Sequence, residues 1–267
     1  MKLGDHVIKL GSPYVNWYLL AAEGGRITVV DAGAPGYRRQ LAGGCAELGR
    51  TEADVAAVVL THGHADHVGV AEMLRTELRV PVYVHKDDEE LATTAKATGK
   101  NEGSMLPYLR HGAAWKLLLE LGRNGALKPR PIKEVRPFTD GEQLAVPGGL
   151  RVVHTPGHTD GHCALVSETA GVAFVGDAIC SYNPLTGERG PQLMPKAFTH
   201  DLAQATTSLD RLAELGVPSL LPGHGEPIES PDDAAEKHGS LVHRGDCEQQ
   251  WGSAYDESDD LDEEPDR

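Results

Sequence analysis

Short apolar runs alternate with amphipathic stretches along this chain, and their spacing predicts a repeated order of strands and helices. Strands are expected at Val7–Leu10, Asn16–Ala21 and Ile27–Asp31, followed by a turn at Gly33 and Pro35 and a helix over Tyr37–Leu48. Val55–Leu60 is almost continuously apolar, the pattern of a strand covered on both faces. A helix over Asp66–Leu78 and a strand over Pro81–His85 follow. Between Asp87 and Leu121 the pattern turns helical, with Gly122 as a stop. Further strands are expected near Val135–Phe138, Leu150–His154, His162–Ser167 and Val172–Gly176. Helix Asp201–Leu215, strand Ser219–Leu221 and helix Pro231–His243 complete the order. Two βα halves with helices outside strands predict an α/β protein, a four-layer αββα sandwich with a helical insertion over about residues 87–130. The expected division is one domain over residues 1–250 and a tail over 251–267.

Composition narrows the function. No apolar run approaches the roughly 18–20 residues that span a bilayer. The start, "MKLGDHVIKLGSP", carries charges where a signal peptide needs an apolar stretch, so no membrane association and a cytoplasmic location are expected. Cys45, Cys163, Cys180 and Cys247 form no CxxC pair and read as reduced thiols. A formal net charge of -15 argues against nucleic acid as a partner. The acidity is uneven: "YDESDDLDEEPDR", from Tyr255, reads as a disordered, solvating tail. Leu91–Lys133 is the opposite, with Lys96, Lys100, Arg110, Lys116, Arg123, Lys128, Arg130 and Lys133 against only Glu102 and Glu120.

The chemistry is concentrated in "VVLTHGHADHVG", Val58–Gly69, where His62, His64, Asp66 and His67 follow a strand-like run. A divalent metal needs nitrogen or oxygen donors converging at about 2.0–2.2 Å. In an extended loop His62 and His64 point the same way, while Asp66 and His67 sit at the turn beyond. The remaining donors must come from elsewhere. Three other strand ends offer them: "RVVHTPGHTDGH" with His158, "VAFVGDAIC" with Asp177 and "LLPGHGEP" with His224. The arrangement predicted is His62, His64 and His158 at one ion and Asp66, His67 and His224 at a second, with Asp177 bridging them. Nitrogen and oxygen donors admit zinc, manganese or iron. His154 and His162 flank a ligand loop and are candidates for supporting roles; His6, His85, His111, His200, His238 and His243 read as ordinary surface histidines.

"THGHADH", "TPGHT", "GDA" and "PGHG", in that order between Ile27 and Pro227, resemble the metallo-β-lactamase-fold hydrolases, which include glyoxalase II and acyl-homoserine lactonases. The resemblance implies an αββα sandwich with a dinuclear site, usually zinc, at one edge of the sheets. It gives Asp31 of "VVDAG" a loop-fixing role. A hydrolase is expected in which a water shared by two divalent ions attacks the substrate, with Asp66 and Asp177 as catalytic carboxylates. The alternatives are a single-iron oxidoreductase resembling persulfide dioxygenases, and a β-lactamase. Lactonases place a tyrosine three residues after the bridging aspartate; here Cys180 stands there and Tyr182 two further on.

The basic insertion is read as a lid whose Met105, Leu106, Tyr108, Trp115 and Leu117–Leu119 line a pocket, while Arg110, Lys116 and Arg123 meet an anionic group. The expected substrate is therefore an anionic small molecule, an ester, thioester or lactone. Tyr108, Arg110, Trp115, Cys180 and Tyr182 are its candidate contacts. The partners expected are this small molecule and, if the chain associates, a second copy of itself as a homodimer.

Overall fold

The computed structural model describes residues 1–94, 102–128 and 130–229. Strands β1 (Lys2–Leu3), β2 (Val7–Gly11), β3 (Asn16–Ala21), β4 (Ile27–Val30), β5 (Val55–Val59), β6 (Val82–His85) and β7 (Arg136–Phe138) form one sheet in chain order. The first four pair antiparallel, and β4 to β7 run parallel through crossovers that carry helices α1 (Leu41–Glu47) and α2 (Ala71–Glu77). The insertion holds α3 (Glu89–Thr94) and α4 (Gly112–Arg123).

The second sheet contains β8 (Gln143–Leu144), β9 (Leu150–His154), β10 (Cys163–Ser167) and β11 (Val172–Gly176). A two-stranded ribbon of β12 (Cys180–Tyr182) and β13 (Arg189–Gln192) comes next, then α5 (Leu202–Ala213). The chain returns to the second sheet as β14 (Ser219–Pro222) and β15 (Ile228–Glu229), giving the order β15-β14-β11-β10-β9-β8.

Alternation of side chains along each strand builds the layers. Tyr18, Leu20, Val30 and Val59 of the first sheet pack with Val152, Leu165, Phe174 and Leu221 of the second in one buried cluster. Their neighbours Trp17, Leu19, Val29 and Val58 pack on the other side with Leu41 and Leu74 of the helices. On the second sheet's far side, Ser208 Oγ of α5 donates to Pro156 O (2.6 Å) and Arg211 to His154 O (2.5 Å). The architecture is the αββα sandwich expected. No described helix is long and apolar enough to cross a membrane.

Apart from β1, β8, β12, β13 and β15, which the apolar pattern does not predict, the strands stand where it placed them. One helix does not: α2 begins at Ala71, not Asp66. Residues 66–70 form turns instead, with Gly69 N–H bonded to Gly33 O (2.8 Å) and Val70 N–H to Ala32 O (3.0 Å). This docking turns Asp66 and His67 toward the neighbouring loops, which a helical start would not allow. His85, expected at the surface, is buried and stacks on His154 with ring centroids 4.4 Å apart. The last expected helix, the acidic tail, and Lys96 and Lys100 lie outside the described residues.

Candidate metal centre

Seven side chains from four loops meet at one edge of the sandwich. His62 and His64 follow β5, His158 follows β9, Asp177 follows β11 and His224 follows β14. Asp177 stands among them: Oδ2 is 3.4 Å from His158 Nε2, 4.0 Å from His62 Nε2 and 3.1 Å from His224 Nε2, and Oδ1 is 3.5 Å from His67 Nε2. Asp66 Oδ2 lies 3.9 Å from His67 Nε2 and 3.7 Å from His224 Nε2. His64 Nδ1 and His158 Nε2 approach to 2.9 Å. Donor atoms of His62, His64 and His158 form one compact group and those of Asp66, His67 and His224 another, each within 4.8 Å. A tetrahedral ion at 2.0–2.1 Å from each donor would separate them by about 3.3 Å, so the spacings suit two cations.

The polarity of the site makes the same point. His62 Nε2, His67 Nε2 and Asp177 Oδ1 face the cluster and are buried without a hydrogen-bond partner; His158 Nδ1 is unpaired too, but it is the outer nitrogen of a ring whose Nε2 faces the cluster. Buried polar atoms are nearly always paired, and lone pairs left bare in a cluster of donors fit metal ligation. The second ring nitrogens are mostly fixed by the protein, as ligating histidines require. Thr61 Oγ1 donates to Asp31 (3.0 Å) and so accepts from His62 Nδ1 (3.0 Å). His67 Nδ1 donates to Asp31 Oδ2 (3.0 Å), and His224 Nδ1 to the carbonyl of Tyr14. His64 Nε2 donates to Glu102 Oε1 (2.9 Å). Asp31 thus serves two histidines, and it does so from a left-handed backbone (φ 58°), which aspartate tolerates better than most residues.

Burial, and then the neighbouring imidazoles, push His62 well below the ordinary histidine range. His158 is also pushed well below by burial, against the pull of Asp177. Burial acts the same way on His67, but Asp177, Asp66 and Asp31 together outweigh it and raise the ring to about 10. Burial opposes ionisation of Asp177, yet His224 and His67 hold its carboxyl well below the usual range. The fold alone thus keeps Asp177 charged and His62 and His158 neutral, and gives His67 a proton that a bound ion would displace.

Two supporting residues escaped the sequence reading. Asp88, buried at the start of the insertion, accepts from Gly63 N–H (2.8 Å), Thr159 Oγ1 (2.7 Å) and Gly161 N–H (2.7 Å). It clamps the loop carrying His62 and His64 to the loop carrying His158. Glu102 is the second. His162 takes a supporting role: its Nε2 accepts from Asp177 N–H (3.0 Å), and its Nδ1 donates to Thr155 Oγ1 (2.9 Å). His154 does not join the centre; its Nε2 donates to Asp160 O (2.9 Å).

A cavity of about 190 Å³ opens on His64, Asp66, His158, Asp177 and His224. Its other walls are mainly apolar, with Met105, Leu118, Leu121, Leu127, Met194 and Phe198 among them. No lysine or arginine is found among the described residues lining it. The substrate contacts expected from sequence are placed elsewhere. Trp115 is 58% exposed and donates through Nε1 to Leu109 O (2.9 Å). Arg110 is exposed and donates to His111 Nε2 (3.1 Å). Tyr108 packs against the small cluster of Ala114, Leu117, Leu185 and Ala197. Cys180 is fully buried, with its thiol toward Gln192 O, and burial raises its pKa far above the ordinary thiol range. Tyr182 lines a separate groove with Tyr14, Lys116 and Arg189. The physical reason is the amphipathic face of α4: it turns Leu117, Leu118 and Leu121 inward and leaves Lys116 and Arg123 in solvent.

Residues 10–224 match the metallo-beta-lactamase superfamily. The probable metallo-hydrolase YflN of Bacillus subtilis (strain 168) is 28% identical over 235 residues, covering 84% of this chain and 85% of the relative. Among solved structures, the metallo-beta-lactamase family protein TTHA1429 from Thermus thermophilus is 32% identical, with a TM-score of 0.60 over 87% of this chain and 77% of that one. TTHA1623, solved in a di-iron-bound form, is 30% identical with a TM-score of 0.54, covering 83% of this chain and 93% of its own. The sandwich, the donor clusters at its edge and a match running from β2 to His224 agree: the chain belongs to the metallo-beta-lactamase superfamily and is a metallo-hydrolase.

Proposed function

We propose that the protein hydrolyses a small ester, thioester or lactone with an apolar acyl group, using a pair of divalent ions. His62, His64 and His158 would hold one ion, Asp66, His67 and His224 the other, and Asp177 both. Two cations held this way supply Lewis acidity, lowering the pKa of a water toward about 7 and polarising the oxygen of the scissile group. Asp66, the most exposed of the seven, borders the cavity, which supports a role in which it would accept a proton from the attacking water. Asp31, Thr61, Tyr14 and Glu102 hold the ring orientations, so that no reorganisation is needed as charge develops. The apolar walls exclude bulk water and seat the acyl group beside the carbonyl.

The observation that carries this reading is the set of buried, unpaired donor atoms in a cluster whose His64, Asp66, His158, Asp177 and His224 border a mainly apolar cavity. A single-iron oxidoreductase would need only one of the two donor groups, so the second group supports a pair. Zinc is the ion proposed first; TTHA1623 in its di-iron form supports iron as an alternative, and the donor set suits manganese as well. The cavity offers an anionic substrate no lysine or arginine among its described walls, which favours a neutral one.

The test is a hydrolysis panel run on chelator-treated protein and on protein restored with zinc, manganese or ferrous iron. The panel holds p-nitrophenyl esters from acetate to octanoate, the anionic hemisuccinate, a thioester, a lactone and a cephalosporin. We expect activity only with metal. It should rise about fourfold per added methylene, as a buried CH₂ contributes about 0.8 kcal/mol, until the cavity is filled. Activity that survives complete metal removal, or that favours the hemisuccinate over the neutral esters, overturns the proposal.

A further inference from the structure

We propose that Glu102 is a positioning residue that fixes the ligating tautomer of His64, so that docking of the helical insertion completes the metal centre. This rests on the reading of the seven donors as metal ligands. A histidine ligates through one ring nitrogen while the other, carrying the proton, needs an acceptor to hold the ring. Among the described residues His158 Nδ1 has no acceptor, and three of the histidines find theirs within the sandwich or its connecting loops: His62 in Thr61, His67 in Asp31, and His224 in the carbonyl of Tyr14. His64 does not. Its acceptor is Oε1 of Glu102, 2.9 Å from Nε2, and Glu102 belongs to the insertion. Both side chains are nearly excluded from solvent, at 9% and 7% exposure, although both border the cavity.

With the proton drawn to Nε2, the lone pair of His64 is left on Nδ1, the nitrogen that meets His158 Nε2 at 2.9 Å. Without the carboxylate, the ring can place its proton on either nitrogen, and one of the two tautomers blocks ligation. The backbone beside Glu102 is itself anchored: Gly103 N–H donates to Lys196 O (2.9 Å). A Cβ at Gly103 would stand 3.1 Å from that carbonyl, so the two segments sit in close contact. The insertion is thus latched to the segment after β13 and delivers an acceptor that the sandwich does not provide.

The experiment is equilibrium dialysis of the full chain against Co²⁺, with visible spectra of the bound ion, for wild type, Glu102→Ala and Glu102→Gln. Thermal unfolding of the metal-free forms is measured alongside. For Glu102→Ala we expect one of two ions to bind about 10- to 100-fold more weakly with an altered cobalt spectrum. The other ion should keep wild-type affinity, and the metal-free midpoint should stay close to wild type. Glu102→Gln retains an oxygen that accepts from Nε2 and should recover most of the affinity and the wild-type spectrum. Two tightly bound ions and an unchanged spectrum in Glu102→Ala overturn the inference and leave the metal reading intact. So does a Gln variant as weak as Ala with both metal-free forms destabilised, because that marks a structural charge. Failure of the wild type to bind cobalt at all overturns the metal reading itself, and this inference with it.

Discussion

Asp88→Asn is the sharpest perturbation of the scaffold that leaves every proposed ligand in place. The carboxylate is 1% exposed and accepts three bonds of 2.7–2.8 Å, from Gly63 N–H and Thr159 Oγ1 on one oxygen and Gly161 N–H on the other. Asparagine has the same shape, so no cavity forms. It has one oxygen, however, and whichever way the amide turns, its NH₂ faces a backbone N–H of Gly63 or Gly161. Losing a bond to a charged acceptor costs about 1.5–3 kcal/mol, and the two remaining bonds weaken toward the roughly 0.5–1.5 kcal/mol of neutral ones. Burial raises the pKa of Asp88 against the pull of these donors, so removing the charge returns part of that loss. The net expectation is about 3 kcal/mol, a large share of a stability of about 5–15 kcal/mol. For a chain of this size that corresponds to roughly 6–12 °C in the unfolding midpoint. Because Asp88 joins the His62–His64 loop to the His158 loop, metal affinity should fall about tenfold as well. Calorimetry of the metal-free protein and competition with a chelator read the two effects. A variant that melts within 2 °C of wild type (an interval set by the roughly 2–4 °C expected per kcal/mol) and keeps its metal would refute the clamp.

Two further outcomes follow from the same geometry. Gly223→Ala should lose at least about tenfold in metal affinity, measured by dialysis, because a Cβ there would run into Asp177 Oδ1 and lie 2.6 Å from His67 Cε1; unchanged binding of two ions would show that Asp177 is not confined. His85 is held down to about 4, by burial first and then by His154 and Lys86, with Asp87 and Asp140 opposing. The unfolded chain therefore takes up a proton near pH 6.5 that the fold does not. Stability attributable to His85 is complete above pH 6.5 and is lost as pH falls toward 4, so urea unfolding of His85→Asn should show a shallower loss across that window than wild type. Parallel curves for the two proteins would contradict it.

The sequence was most informative where one short segment carries the chemistry or one strand carries the period. The HxHxDH loop, and single donors just beyond apolar runs, point to His62, His64, Asp66, His67, His158, Asp177 and His224, and the fold brings all seven to one edge. Two-residue strands such as β1, β8 and β15 escaped because a period of two cannot be recognised in two residues. Asp88 and Glu102 escaped for a different reason. Their partners are 25 to 73 residues away in the chain for Asp88 and 38 for Glu102. In "KDDEE" and "NEG" a buried acceptor looks the same as a solvated one.

The basic island was misleading on similar grounds. Charge counted along a segment says nothing about which face of the helix bears it, and a lysine or arginine beside a pocket lays its stem on the surface while its head seeks water. Leu117 and Leu118, with Leu121 three to four residues further on, are the better guide to what α4 presents to the site. The distinction separates ligands from the residues that orient them. Donors cluster in chain motifs because one loop can supply several. Acceptors for their outer nitrogens can come from any element that the fold brings within 3 Å, and here one comes from the insertion. Differences in that insertion could therefore alter the metal centre while every ligand motif stays the same.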